Sequence, residues 1–327
     1  MSPAKCKESN YINFLIATPK VCSGLEAARV ESEGNTAHDA FTRLLHRLEP
    51  GTESLWQESE TQVEKNKGIL VLDDTTLDKL YAKKIALVTR HWSGKHHSVV
   101  KGINLITLLW TDGDRHIACD YRIYDKANDQ LTKNDHFQQM IKQARERGFQ
   151  PQCVVFNSWY AALENLKLIC DYQWIWLTRL KENRKLNPER KGLRAISEVE
   201  IGVEGSIVRL EGYGLIRVFK IVAKDGDIEY WATNHLNIND LQRIKYANYA
   251  WAIENYHRAI KQFTNIERAM VRAARAQRNH INLALRAFLR IELHYFAKGI
   301  SWFEAKTEII RAAVRAYLAN PIYSLMA

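Results

Sequence analysis

Trp251-Ala252-Ile253-Glu254-Asn255-Tyr256-His257-Arg258-Ala259-Ile260-Lys261 is the stretch on which the reading of this 327-residue chain turns. At 100° per residue, Tyr249, Ile253, Tyr256, Ile260 and Phe263 fall on one stripe of a helix, and Trp251, Glu254, Arg258 and Lys261 fall on the opposite one. Taken alone this is an amphipathic helix with a solvated polar face and a favourable Glu254–Arg258 pair one turn apart. Two upstream runs add to it. Leu70-Val71-Leu72-Asp73-Asp74-Thr75 is β-rich and ends in carboxylates, and Cys153-Val154-Val155-Phe156-Asn157-Ser158 ends in a carboxamide. Two such strand ends and a Glu on a later helix are what a two-metal phosphoryl-transfer site needs.

The Glu254-x6-Lys261 spacing in Trp-x-Ile-Glu-x-Tyr-His-Arg-x-x-Lys resembles the YREK-like signature helix of the DDE transposases of insertion sequences. Leu-Asp-Asp-Thr and Val-Val-Phe-Asn-Ser-Trp-Tyr look like that family's first and second acidic motifs, and the motifs occur in the family's order. The resemblance implies an RNase H-like core of α/β (α+β) class, in which the first strand and the Cys153 strand lie side by side. It implies a catalytic and metal-binding set of Asp74, Asn157 and Glu254 holding Mg²⁺ or Mn²⁺. It implies double-stranded DNA as partner, both element terminal inverted repeats and target, engaged as a homodimer in the bacterial cytosol. Asp73 competes with Asp74, because side chains alternate across a strand and one of the two faces the site. Asp74 is preferred, because the family's catalytic Asp directly precedes a Thr.

Asn157 departs from the pattern. An amide oxygen can touch Mg²⁺ but brings no negative charge, so two carboxylates face up to four metal charges, and cleavage is expected to be impaired. The alternative is a catalytically dead, transposase-derived, sequence-specific DNA-binding protein. The family's Arg four residues before the Glu, and Tyr three before that, are replaced by Ala250 and Ala247. Arg258 and Lys261 remain for the DNA backbone.

Charge points the same way. The formal net charge is +10, and between Arg243 and Arg290 there are ten Lys or Arg against Glu254 and Glu267. A basic helical region of this kind favours a phosphate backbone. Arg268, Arg272, Arg275 and Arg278 lie in the basic tail after the signature helix, and Arg43 and Arg47 lie on an N-terminal helix. The five cysteines include no CxxC and no Cys/His cluster of zinc spacing. No apolar run approaches the ~20 residues of a membrane span, and the expectation is a cytoplasmic protein.

Four regions are expected. Residues 1–66 are helical and form a DNA-binding region, with Asn35 or Thr36 capping a helix over 38–48. Residues 67–180 are the first part of the core, in the order β-β-β-α-β-α-β, with a polar loop over 75–95. Residues 181–236 are a β-rich insertion with strands near 196–201, 206–210, 215–223 and 228–232. Residues 237–327 complete the core with the signature helix and basic C-terminal helices, the last capped by Ser301. Trp159, Trp174, Trp176 and Trp231 read as core residues, and His96 and His97 as part of a solvated loop.

Overall fold

The computed structural model describes residues 5–19, 22–31, 36–93, 97–223 and 226–321; Asn35 and His96 lie outside them. In chain order the elements are α1 (Glu8–Ala17), α2 (Gly24–Arg29), α3 (His38–Arg47), α4 (Glu53–Ser59), β1 (Ile69–Asp78), β2 (Thr89–Ser93), β3 (Ser98–Thr111), β4 (His116–Ile123), α5 (Lys126–Asp129), α6 (Lys133–Glu146), β5 (Cys153–Phe156), α7 (Leu163–Asp171) and β6 (Trp176–Leu180). There follow β7 (Lys185–Leu186), β8 (Arg194–Ala195), β9 (Ser206–Leu210), β10 (Gly214–Val222), β11 (Ile228–Thr233), α8 (Asp240–Phe263), α9 (Ala274–Lys298) and α10 (Trp302–Ala319).

The chain divides into two compact units. One comprises Gln62–Thr75 and Leu105–Asn255, and the other Met1–Thr61, Thr76–Asn104 and Tyr256–Ala327. The first is built on a sheet in the order β4-β3-β1-β5-β6-β11-β10-β9-β7-β8. β1, β5 and β6 run parallel, with Leu72 opposite Phe156 and Phe156 opposite Thr178. This is the adjacency that the resemblance implied. Ile69 to Leu72 and Cys153 to Phe156 are all buried, as central strands covered on both faces require. α6 covers the sheet beside β5, with Phe137 packed against Phe156 and stacked on Tyr160. Thr132 and Asp135 close a capping box at the start of α6, and Gly148 ends it at φ +84°.

α8 reaches this unit's sheet through buried Tyr246 and Ile253. Its Tyr249 ring lies against the β3–β4 turn, where a Cβ on Gly113 would stand 2.9 Å from the ring at φ +108°. Glycine is needed there both for the backbone angle and for the space.

In the second unit α9 is the centre, with α1, α3, α4 and α10 packed around it. Its buried Leu283, Leu285, Phe288 and Leu289 form the core, each worth roughly 1.5–3 kcal/mol of apolar burial. Arg286 bridges Glu8 and Glu58, and Arg290 also meets Glu58. The loop between α8 and α9 is held by buried polar groups. Lys79 donates to the carbonyls of Glu267 and Ala269, Lys306 to that of Phe263, and Asn265 to that of Thr18. Satisfying buried carbonyls in this way offsets their desolvation.

Four sequence expectations differ from the fold. The 75–95 stretch is not all loop, since β1 continues to Asp78 and β2 pairs with β3. Residues 196–201 are not a strand: Ile196–Glu198 form a 3₁₀ turn, with the Glu198 carboxylate accepting from the Ala195 N–H. Trp159 is 59% exposed and Trp231 is half-buried, whereas Trp174 and Trp176 are core as expected. The N-cap of α3 is Ala37, with no side-chain cap from Thr36.

Candidate active site

β1 and β5 deliver the first two groups. Because Leu72 sits opposite Phe156, the next residue on each strand, Asp73 and Asn157, emerges at the same level. The Asn157 amide donates to Asp73 Oδ1, and Asn157 Oδ1 accepts from the Trp159 N–H at 2.9 Å. Glu254, on α8, lines the same cavity of about 360 Å³ as Asp73 and Asn157. Arg179, Glu229, Trp231, Arg243, Asn248 and Trp251 also line it.

Alternation along β1 separates the two aspartates. Asp73 faces the cavity. Asp74 is held away from it by Lys133 Nζ at 2.7 Å and by the Tyr160 hydroxyl at 2.9 Å. The sequence preference for Asp74 over Asp73 is therefore reversed in orientation: the carboxylate grouped with Asn157 and Glu254 is that of Asp73. Which aspartate carries the chemistry belongs to the proposal below.

The electrostatics follow from this crowding. Burial pushes the Asp73 carboxyl well above its usual range, and the neighbouring Asp74 and Glu254 push it further; Lys133 acts against them. Like charges in a desolvated pocket disfavour ionisation unless a cation joins them. Tyr160 is likewise raised, by burial first and then by Asp74 and Asp73, so it stays a neutral donor. On the strand beside Asn157, Arg179 pairs with Glu229 and lies 5.6 Å over the Trp231 ring. Arg243 donates to Asp240 at 2.7 Å and lies 5.5 Å over Phe219.

Ala247 and Ala250, where the resemblance would place Tyr and Arg, also line the cavity. Arg243, one turn before Ala247, is the helix's guanidinium on that wall. Lys133, Tyr160, Arg179 and Arg243 had no place in the sequence assignment. Tyr160 had a signal, three residues after Asn157, whereas Lys133 and Arg179 had none.

The candidate DNA contacts divide. Arg258, Arg268 and Arg272 are exposed. Lys261 donates to the Thr76 carbonyl at 2.7 Å, and Arg275 to the Leu48 carbonyl while pairing with Glu49. Both serve the fold. Arg278 is half-buried. Arg43 is exposed and pairs with Asp39, and Arg47 donates to the Cys6 carbonyl.

A parallel β1–β5–β6 core flanked by α6 and α7, with acids at the strand ends and on a following helix, defines an RNase H-like fold. A family model described as DDE superfamily endonuclease matches residues 21–197, and the chain belongs to that family. The match takes in Asp73, Asp74 and Asn157 and ends before Glu254. Among solved structures, a piggyBac transposase in a synaptic complex with hairpin DNA is similar at TM-score 0.54 and 10% identity, over 97% of this chain and 72% of that one. The P element transposase of Drosophila in its strand transfer complex is similar at TM-score 0.29 and 8% identity, over 99% and 77%. The piggyBac likeness is one of fold. No curated protein matches the chain. Among the described residues no helix is long and apolar enough to cross a membrane.

Proposed function

We propose that the chain is a DNA transposase that cuts and joins element ends, with Asp73, Asn157 and Glu254 as its catalytic cluster. The observation that carries this is their convergence on one cavity from β1, β5 and α8. DDE endonucleases work with divalent metals. The donor set fits such an ion in part: Asp73 and Glu254 offer hard carboxylate oxygens suited to Mg²⁺ or Mn²⁺, and the raised Asp73 carboxyl marks a place where positive charge is wanted. Asn157 turns its N–H toward Asp73 and commits its oxygen to Trp159. Asp73 and Glu254 would hold the ion. When bound, it supplies activation of a water or DNA 3′-hydroxyl and stabilises the leaving oxygen.

The chain's own groups do the rest. Arg179 and Arg243, on the wall of the same cavity, present positive charge to a scissile phosphate. Lys133 offsets the charge of Asp74 and the Tyr160 hydroxyl hydrogen-bonds to it, so that it adds less repulsion to Asp73. Exposed Arg258, Arg268 and Arg272 meet the backbone of double-stranded DNA, both terminal repeats and target, and the N-terminal helices read sequence through the face carrying Arg43.

The test is single-turnover nicking of end-containing DNA by the chain, by Asn157→Asp, and by Asn157→Asp combined with Glu254→Gln, in Mg²⁺ and Mn²⁺. Nicking by Asn157→Asp well above the chain as it stands, and lost in the double variant, supports the cluster. Equal rates for chain and Asn157→Asp would show that the amide is a working group. A second reading has its own observation: the Asn157–Asp73 hydrogen bond fills the place of a cation. It makes the chain a DNA-binding protein without chemistry, and predicts tight DNA binding with no nicking by either form.

A further inference from the structure

A groove of about 390 Å³ opens between α1, α2 and α3, within the second unit. Its floor is formed by buried Phe14, Ala27 and Phe41, the two phenyl rings 6.5 Å apart and tilted at 51°. Its sides are two short stripes, each of residues one helical turn apart: Phe14 and Ala17 on α1, and Ala27 with Val30, which caps the end of α2. Alanine at 17 and 27 leaves room that a longer apolar side chain on either helix would fill. Val30 is 60% exposed beside that room. At the low end of the roughly 300–1,000 Å³ of ligand pockets, the space takes one or two bulky apolar side chains.

Charge decides what presents those side chains. Glu26 and Glu31 line the groove, and among the described residues no Lys, Arg or His does. The wider region agrees: residues 1–61 hold nine Asp or Glu against six Lys or Arg, in a chain of formal net charge +10. Arg29 reaches Glu26 at 3.6 Å with its own side chain 66% exposed, and a surface pair of this kind is weak enough to yield to a better-placed cation. A phosphate backbone would meet two carboxylates here and be repelled. A wholly apolar segment would cover those carboxylates at a desolvation cost. A Lys or Arg close to an apolar anchor answers both demands. The groove also faces away from Arg43, which lies two residues from Phe41 and so on the far side of α3.

We propose that this groove docks a short basic segment of a partner protein, with a bulky apolar side chain seated on Phe14 and Phe41 and flanking Lys or Arg paired with Glu26 and Glu31. The docking is independent of Asp73, Asn157 and Glu254, and stands whether or not the chain cuts DNA.

The test selects random short peptides, displayed on phage, on the full chain without DNA. Synthetic fluorescent copies of the enriched peptides are then titrated against the parent and two variants by anisotropy. Ala17→Leu plugs the groove from an exposed position and removes no buried side chain. Glu26→Gln with Glu31→Gln removes the charge and keeps the shape. Circular dichroism and thermal unfolding establish that both variants fold. The enriched peptides should carry a bulky apolar residue with Lys or Arg near it, and added salt should weaken their binding. Each variant should weaken it at least about tenfold. A selection with no peptide binding more tightly than roughly 100 µM, enriched peptides that lack basic residues, or binding that ignores both variants would each overturn the proposal. Ala17→Leu should bind duplex DNA as the parent does; a loss there would assign the groove to nucleic acid and overturn the proposal as well.

Discussion

The Asn157 side-chain amide donates to Asp73 across the ends of two parallel strands, and its oxygen meanwhile caps the turn at Trp159. One side chain thus satisfies a crowded carboxylate and ends β5. A carboxylate at position 157 could keep the cap but would turn the contact with Asp73 into a repulsion. Asn157→Asp should therefore lower the stability of the metal-free chain by about 1–3 kcal/mol. Mg²⁺ or Mn²⁺ at millimolar concentration should restore it, while barely moving the parent. Chemical denaturation with and without metal measures this directly, and needs no DNA. Equal stability of the two proteins without metal would show that the amide does not hold Asp73.

Lys133 and Asp74 form a pair that is 17% and 15% exposed. Lys133→Met would leave the Asp74 carboxylate with Tyr160 as its hydrogen-bond donor, beside the crowded Asp73. Removing one partner of a fully buried pair costs about 3–5 kcal/mol, and the residual exposure here brings the expectation to about 1–3 kcal/mol. Lys133 also lies 5.5 Å over the Trp159 ring, so the emission of that exposed indole should change. Lys133→Arg should recover most of the stability, and a Met variant as stable as the parent would refute the pairing.

How much of this was legible in the chain depends on the residue. The apolar runs of β1 and β5 announced themselves, because strands buried on both faces have no polar positions. Their adjacency did not, since pairing between residues 72 and 156 leaves no mark in local periodicity. Which of Asp73 and Asp74 faces the cavity was not legible, for a related reason. Alternation says that one of them faces the site, but which one depends on the pleat phase of a strand that continues to Asp78. β2 was missed because Thr89–Ser93 is a polar edge strand. Ile196 to Ile201 misled in the other direction: Ile196 and Val199 are both buried, but through a turn with a spacing of three, which imitates alternation over so short a run. The ten basic residues were visible as a count. That Lys261 and Arg275 spend their charge on backbone carbonyls was not.

Gly113 tests how α8 is seated. At φ +108°, and with the Tyr249 ring 2.9 Å from the place of its Cβ, Gly113→Ala must strain the backbone and displace the ring together. Strain of this kind costs about 1–3 kcal/mol. Tyr249→Ala should relieve the steric part, so the double variant should lose less than the sum of the singles. Additive losses in a double-mutant cycle would show that Gly113 and Tyr249 do not constrain each other.

His280 gives the chain a pH dependence that does not involve the candidate-site residues. It is fully buried on α9. Nε2 lies 3.2 Å from the Ile266 carbonyl and Nδ1 lies 3.0 Å from the Tyr11 hydroxyl. A carbonyl can only accept, so Nε2 carries the proton and Tyr11 donates to Nδ1. Protonating Nδ1 would break that contact and bury a charge. Burial, and then the charge of Lys79, lower the His280 pKa from 6.5 to about 3. Above 6.5 both folded and unfolded chains hold a neutral imidazole, and stability is at its full value. As the pH falls below 6.5 the unfolded chain takes up a proton that the folded chain refuses until about 3. Stability therefore declines across that window, by about 1.4 kcal/mol per pH unit from this group. Carboxylates join in toward the acid end, so the upper part of the window reports His280 most cleanly. Urea unfolding of the parent and of His280→Gln between about pH 7 and 5 isolates the group, since glutamine keeps a donor and an acceptor but does not titrate. The parent should lose stability more steeply than the variant over that interval. Parallel slopes would mean that His280 is protonated in the folded chain, and that the Tyr11 hydroxyl donates elsewhere.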